Sequence, residues 1–380
     1  MEKANDQIHK KQEKLELYTA SQGQLIWRRF RRHKLAIVSA PLLLVLYLSA
    51  VFCQFLAPYS PLTIFSPISN HPPQKIHFFI EDENGRKQLV RPFVYGIHAE
   101  MDTETFRLNF TEDKSTNYPI RFFVHGEEYE LLGIFETDIH LFGAEGGQVF
   151  IFGTDTLSRD LFSRILYGAR ISLSIGLIGV CISLILGLLL GGVSGYYGGV
   201  IDEVIQRIIE FIMSIPKLPL WMALSAALPR DWPIIKTYFA ITIIFSIVGW
   251  TGLARVIRGK LLALREEDFA TAARVSGVSE YRIITKHLLP LFMSYIIVAV
   301  TMSVPSMILG ETSLSFIGLG LQPPAVSWGV LLKDAQDLVE IAYHPWKLIP
   351  GFVVVIAVML FNLLGDGLRD AADPYKTLEE

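Results

Sequence analysis

Residues 35–56, LAIVSAPLLLVLYLSAVFCQFL, run from end to end without a charged side chain. A helix rising about 1.5 Å per residue needs about 20 such residues to cross about 30 Å of hydrocarbon, so the stretch reads as a membrane span. The residues before it, WRRFRRHK at 27–34, place Arg28, Arg29, Arg31, Arg32 and Lys34 at its N-terminal end, which the positive-inside rule keeps in the cytoplasm. A secretory signal also begins basic and turns apolar. This stretch starts late, however, and runs into Pro58, Pro61 and Pro67 instead of a small-residue cleavage site. A retained first helix over 35–57, after a cytoplasmic tail of residues 1–34, is therefore expected.

The rest of the chain repeats the pattern. Of its 380 residues 51% are hydrophobic and 19% charged, against about 25% charged in soluble proteins. The apolar surplus lies in further runs at 171–195, 208–228, 238–254, 288–309 and 348–364, each long enough for a tilted span. Six spans leave both termini in the cytoplasm. Glu210, Pro216, Lys217 and Pro219 interrupt the third run, which reads as a helix kinked inside a bundle. The connection after the fourth run holds Arg255, Arg258, Lys260, Arg265, Arg274, Arg282 and Lys286 against Glu266, Glu267, Asp268 and Glu280, and its basic excess fits a cytoplasmic loop.

Between the first and second spans lies a long segment whose short stretches KIHFFI, RPFVYGI, FRLNF, IRFFVHG and YELLGIF are rich in β-branched and aromatic residues. Asn84-Gly85 is its best hairpin signal. A β-rich extracytoplasmic insertion within 58–150, centred on 72–142 and joined by the proline-rich stretch 58–73, is the expectation. The permease-like core then runs over 151–370, with a cytoplasmic loop at 255–289 and a short cytoplasmic tail at 371–380.

Several function classes are not supported. Cys53 and Cys181 both lie in apolar runs, which points to neither a disulfide scaffold nor a cysteine-based metal site. A formal charge of −3 leaves no basic footprint for nucleic acid. The phosphate-cradling loop G-x-x-x-x-G-K-[ST] is absent, as are H-E-x-x-H and G-x-S-x-G, so no nucleophile and base can be named.

The segment 266–290, EEDFATAARVSGVSEYRIITKHLLP, reads as two short helices with a break. Asp268 is placed to cap the first, Gly277 to take the left-handed turn at its end, and Ser279 to cap the second. Such a helix-turn-helix has the shape to seat in another protein's groove. On periodicity alone, a plain surface connection is the simpler reading.

The residues Thr271-Ala272-Ala273, Gly277 and Leu289-Pro290 resemble the docking loop of permease subunits in bacterial ABC importers of the dipeptide and oligopeptide type. Thr271 stands where that family usually has glutamate. Four other stretches are similar to the family's hallmarks: FGTDTLSRDLFSRILYGARISL at 152–173, SGYYGGVIDEVIQRIIEFIMSIP at 194–216, GETSLSFIGLGLQPPAVSWG at 310–329 and FNLLGDGLRDAADP at 361–374. The likeness is closer to the second permease of the pair, although the outer insertion is larger than expected for it. The resemblance implies an all-α polytopic membrane protein with six spanning helices and a small β-rich insertion, in the bacterial cytoplasmic membrane. It implies a heterodimeric partner permease, two ABC ATPase subunits holding ATP and magnesium, a binding protein outside, and no cofactor on this chain. Peptides are the implied cargo, with metal chelates, opines, glycosides or glutathione-like molecules as alternatives. A membrane sensor is the competing reading from another class, and a membrane peptidase a third.

The resemblance implies that Thr271, Ala272, Ala273, Arg274, Gly277, Glu280, Arg282 and Pro290 belong to the coupling loop, with Ala272, Ala273 and Gly277 supplying packing and the turn, while Arg274, Glu280 and Arg282 set its angle by salt bridges or simply face solvent. Asp155, Arg159 and Asp160 organise the outer mouth or pair locally. Glu311, an ionisable group at membrane depth, is a pathway candidate, its alternative being an interfacial carboxylate in water.

Overall fold

The computed structural model describes residues 22–81, 87–104 and 108–373. The chain enters through α1 (Gln22–Phe30) and α2 (Lys34–Val51), where the His33 ring accepts a hydrogen bond from the Ala36 amide at 3.2 Å, and a last turn, α3 (Cys53–Leu56), extends it. The following stretch is no loose joint. Tyr59 and Phe65 lie 4.7 Å apart between ring centroids, Phe65 and Phe150 5.2 Å, and His71 and Phe110 4.7 Å, forming an aromatic floor under the sheet.

On that floor stand four antiparallel strands in sequential order, β1 (His77–Glu81), β2 (Lys87–Met101), β3 (Leu108–Leu131) and β4 (Phe135–Ala144). Stretches read as separate strands merge into the long β3, because its turn-like residues are absorbed as bulges. Asp113 pairs with Gly96 and Asn117 with Tyr95, so three residues loop out, and a second shift lies between His125 and Tyr129. β3 also changes partner, from β2 up to Pro119 to β4 from Ile120 on. Proline has no N–H for a ladder, which suits it to that handover. Asn84-Gly85 lies outside the described residues.

The helical part is organised by α4 (Leu161–Tyr197) and α7 (Ile234–Leu264). A Cβ at Gly191 would lie 2.5 Å from the Ala254 carbonyl oxygen, and one at Gly195 2.8 Å from that of Arg258, so only glycine allows these backbones to meet. Between them come α5 (Gly199–Ser214) and α6 (Lys217–Ala226), which meet at an angle of 87°. The expected kinked span at 208–228 is thus two helices in a sharp elbow at Ile215-Pro216. The loop helices α8 (Asp268–Val275) and α9 (Glu280–Arg282) lead through a π turn and a 3-10 turn into α10 (Met293–Ile317). Two short helices, α11 (Trp328–Lys333) and α12 (Leu338–Tyr343), precede α13 (Ile349–Ala372). Leu173, Trp221, Phe245, Ile308, Trp328 and Ala357 form the centre of the main core.

Five of these segments are long and apolar enough to cross a membrane, and the expected six is reached only by counting the elbow α5–α6 as one. Large apolar side chains such as Leu189, Phe352 and Ile356 stay exposed on the outside of the bundle, as lipid-facing side chains do. Cys53 fills the core while Cys181 faces outward.

Candidate functional site

The loop end is built from a short helix and the stop that ends it. Glu267, not Asp268, is the N-cap of α8, and it makes no side-chain capping bond; Asp268 is the first helical residue, where its charge still favours the helix N-terminus. At the other end the Val278 amide donates to the Ala273 carbonyl and the Gly277 amide to that of Arg274, both at 3.1 Å, with Gly277 at φ +75°. This is the reciprocal C-terminal stop that needs a left-handed residue, and Gly277 supplies it as expected. Ser279 precedes α9 as its N-cap without a side-chain bond.

Ala270, Ile283 and Leu288 are buried with Tyr196, Ile257 and Leu261, so one face of this helix-turn-helix is seated on α4 and α7. The other face is open. Thr271, Ala272, Arg274, Gly277, Glu280, Arg282 and Pro290 are exposed and Ala273 is half-buried, while Val275 and Tyr281 expose 84% and 78% of their surface. Among the described residues no ion pair joins Arg274, Glu280 and Arg282 to one another. Glu280 instead accepts from the Tyr197 hydroxyl at 2.7 Å, and the Arg274 guanidinium lies 5.7 Å above the Tyr196 ring. Arg265 donates to the Tyr196 carbonyl at 2.9 Å. The Tyr196-Tyr197 pair at the end of α4 therefore holds the loop from three sides, a role the reading of single motifs missed although both residues lie in the stretch SGYYGG. Beside it Arg258 grips Asp202 with two bonds of 2.5 Å, tying α5 to α7.

The other end of α4 lies about 55 Å away at the helical rise, and its chemistry is a buried charge cluster. Asp155 accepts from the amides of Leu157 and Arg159 at 2.8 and 2.9 Å, and from Arg159 Nε at 2.8 Å, with Arg164 as its other ionic partner. Asp160 caps α4 by accepting from the Ser163 amide at 2.7 Å. Asp155 and Arg159 are thus paired with each other, and Asp160 beside them serves as a helix cap.

Burial pushes the Asp160 carboxyl up from 3.8 to about 7, the nearby Asp155 charge adding to the rise while hydrogen bonds with Ser163 and Phe162 pull it down. A carboxyl whose folded value is raised binds its proton more tightly in the folded state, so its contribution is complete below about pH 4 and is lost as pH climbs to about 7. Asp160→Asn keeps a capping oxygen and is expected to flatten the decline of melting temperature between pH 4 and 8. An unchanged slope in the variant would contradict this.

Glu311 is not with that cluster. It is fully buried in α10, where Oε2 accepts from the Ser172 hydroxyl at 2.9 Å and Oε1 from those of Ser315 and Ser327 at 2.8 and 2.6 Å. Each serine oxygen accepts in turn from a backbone amide, of Trp328, Leu321 and Val330 respectively. The carboxylate so joins α4, α10 and the start of α11, and it does not stand in water at an interface. Among the described residues no group of histidine, cysteine and acidic side chains is placed to hold a metal ion.

Residues 163–377 match the family described as binding-protein-dependent transport system inner membrane component, and residues 21–73 match the N-terminal transmembrane domain of oligopeptide transport permease C. The dipeptide transport system permease protein DppC of Bacillus subtilis is 36% identical over 224 residues, 59% of this chain and 68% of that one. The oligopeptide transport system permease protein OppC of the same organism is 39% identical over 224 residues, 59% of this chain and 71% of that one. DppC of Lactococcus lactis is 32% identical over 353 residues, 92% of this chain and 89% of that one. With its family match covering more than half its length, an apolar bundle and a loop seated at one end, the chain belongs to the inner-membrane permease components of binding-protein-dependent transport systems.

Proposed function

We propose that this chain is one half of the path through which an ABC importer brings peptides into the cell. The single observation that carries the reading is the segment 266–290, whose inner face is locked to α4 and α7 and whose outer face presents Val275, Tyr281 and Arg282 to a partner. A surface of that kind is suited to receive one of two cytoplasmic ABC ATPase subunits, which hold ATP and magnesium; this chain contributes neither a nucleotide site nor a cofactor. A second, homologous permease completes the path. The loop and both termini face the cytoplasm, supported by the basic side chains at 28–34 and 255–286. The sheet then faces outward, where a substrate-binding protein delivers its cargo. Peptides are favoured as cargo by the names of the relatives.

The test is uptake by proteoliposomes holding the full complex, with ATP inside and the binding protein outside. Radiolabelled di- to hexapeptides are expected to accumulate, and only with both present. Accumulation of a metal chelate or a glycoside with no peptide uptake would overturn the choice of cargo.

A further inference from the structure

We propose that the sheet carries a docking slot for an extended oligopeptide, formed along the unpaired edge of β3 between Arg121 and Glu127. This rests on the reading of the chain as a peptide permease and adds to it a site outside the membrane.

From Ile120 to Leu131 β3 pairs with β4 alone, because β2 leaves it at Pro119. Among the described residues no strand pairs with its second edge there, although Phe55 meets Phe123 at 6.2 Å between ring centroids and the Glu127 carbonyl is taken by the His140 ring at 3.1 Å. A cleft of about 640 Å³ borders this part of the strand. It is lined by every residue from Arg121 to Glu127, whereas of β4 only Gly143 and Ala144 take part. Side chains alternate between the two faces of a strand, so a wall made of consecutive residues is an edge and not a face. The opposite wall is Pro58, Tyr59 and Phe65.

The two ends of the cleft carry charge. At one, Glu127 accepts from the Ser60 amide at 3.1 Å and the Thr63 hydroxyl at 2.7 Å, clamping the facing wall and leaving lone pairs for a further donor. At the other, Arg121 pairs with Glu145 at 2.7 Å, and both side chains are more than half exposed. Exposed pairs of this kind are held weakly and open readily to a competing carboxylate. Phe122 and Phe123 stand exposed along the strand, and Phe123 has φ +57°, a conformation uncommon for an aromatic residue and most often retained where it serves binding. Open edges are ordinarily blunted by lysine, proline or a covering segment; residues 121–127 contain neither lysine nor proline, and the segment 58–65 stands across the cleft from them.

An open edge offers backbone N–H and C=O groups that bind any peptide main chain whatever its side chains, which suits a carrier of mixed peptides. The C-terminal carboxylate goes to Arg121 and the N-terminal ammonium to Glu127. Six residue steps separate them along β3, and the positive φ at Phe123 and the register shift after His125 keep the run within six extended steps of about 3.3 Å, a span for at most about six peptide residues.

Radiolabelled hexaalanine, with a second form carrying one benzophenone side chain, would be tested on the full complex in nanodiscs without binding protein. Photocrosslinks are expected at 121–127 and Phe65. Binding is expected to weaken about tenfold on amidating the peptide's C-terminus or in Arg121→Gln, to strengthen in Glu145→Gln, which frees Arg121, and to vanish when alternate peptide nitrogens are methylated. Crosslinks confined to helices or to lipid, or equal binding of the methylated peptide, would overturn the slot. If hexaalanine accumulates in the proteoliposome assay with ATP and binding protein yet never marks the sheet, the slot is refuted and the import reading stands; if no peptide accumulates there at all, both fail.

Discussion

Glu311→Ala is expected to be the most destabilising single change in the bundle. The carboxylate is the acceptor for three buried hydroxyls, those of Ser172, Ser315 and Ser327. Without it three donors have no partner inside a core from which water is excluded, and each orphaned buried group costs about 1–3 kcal/mol. A loss of roughly 3 kcal/mol or more follows, on the order of a 5–10 °C fall in melting temperature for the purified complex. Glu311→Gln keeps an acceptor oxygen for Ser315 and Ser327 but turns an amide toward Ser172, so a loss of about 1 kcal/mol is expected for it. Because Ser172 lies on α4 and Ser327 caps α11, the damage should include movement of Trp328, whose amide is held by Ser172. A melting temperature for Glu311→Ala within a degree of the native one would mean that the carboxylate is dispensable to packing and is retained for the path itself.

Gly277→Trp is expected to abolish transport while leaving the permease folded. Its chain neighbours aside, nothing among the described residues lies within 4 Å of where a Cβ would sit, so a side chain there starts out in open space. Two effects separate. The left-handed backbone at φ +75° costs a side chain about 1–2 kcal/mol, which strains the stop between α8 and α9. The bulk itself stands on the exposed face proposed to receive the ATPase. Gly277→Asn isolates the first effect, since asparagine tolerates this conformation. Uptake is expected to fall at least tenfold in Gly277→Trp and less than threefold in Gly277→Asn, numbers set by about 1.4 kcal/mol per factor of ten in coupling. Equal losses in the two variants would place the effect in the turn and not in the docking face.

Hydropathy located the spans but not the helices. The uncharged run at 171–195 is what lipid requires, whereas α4 begins ten residues earlier, at the cap made by Asp160, and ends at Gly198. Arg164 could enter that helix because Asp155, nine residues before it, pairs with it, and Ser172 because Glu311 waits for it, a partner distant in sequence and so absent from any local pattern. The elbow at Ile215-Pro216 was visible as an interruption, yet its angle depends on what Trp221 packs against, namely Phe245 at 4.8 Å between ring centroids. In the loop the turn at Gly277 was legible, because a single residue type solves a single backbone problem. The settings of Arg274 and Glu280 were not, because their partners, Tyr196 and Tyr197, come from the end of a helix some eighty residues earlier. In the sheet, stretches that read as separate short strands run together in β3, since bulges let one long strand absorb residues that elsewhere make turns.

ATP hydrolysis by the complex in lipid, with peptide-loaded binding protein, native chain against Gly277→Trp, tests the central assignment most directly. Stimulated hydrolysis is expected in the native complex and its collapse in the variant, with all subunits still co-purifying and α4, α7 and the loop still protected from proteolysis. Hydrolysis that is equally stimulated in an assembled Gly277→Trp complex would contradict it, because the segment 266–290 would then not be the link between this chain and the subunits that use ATP.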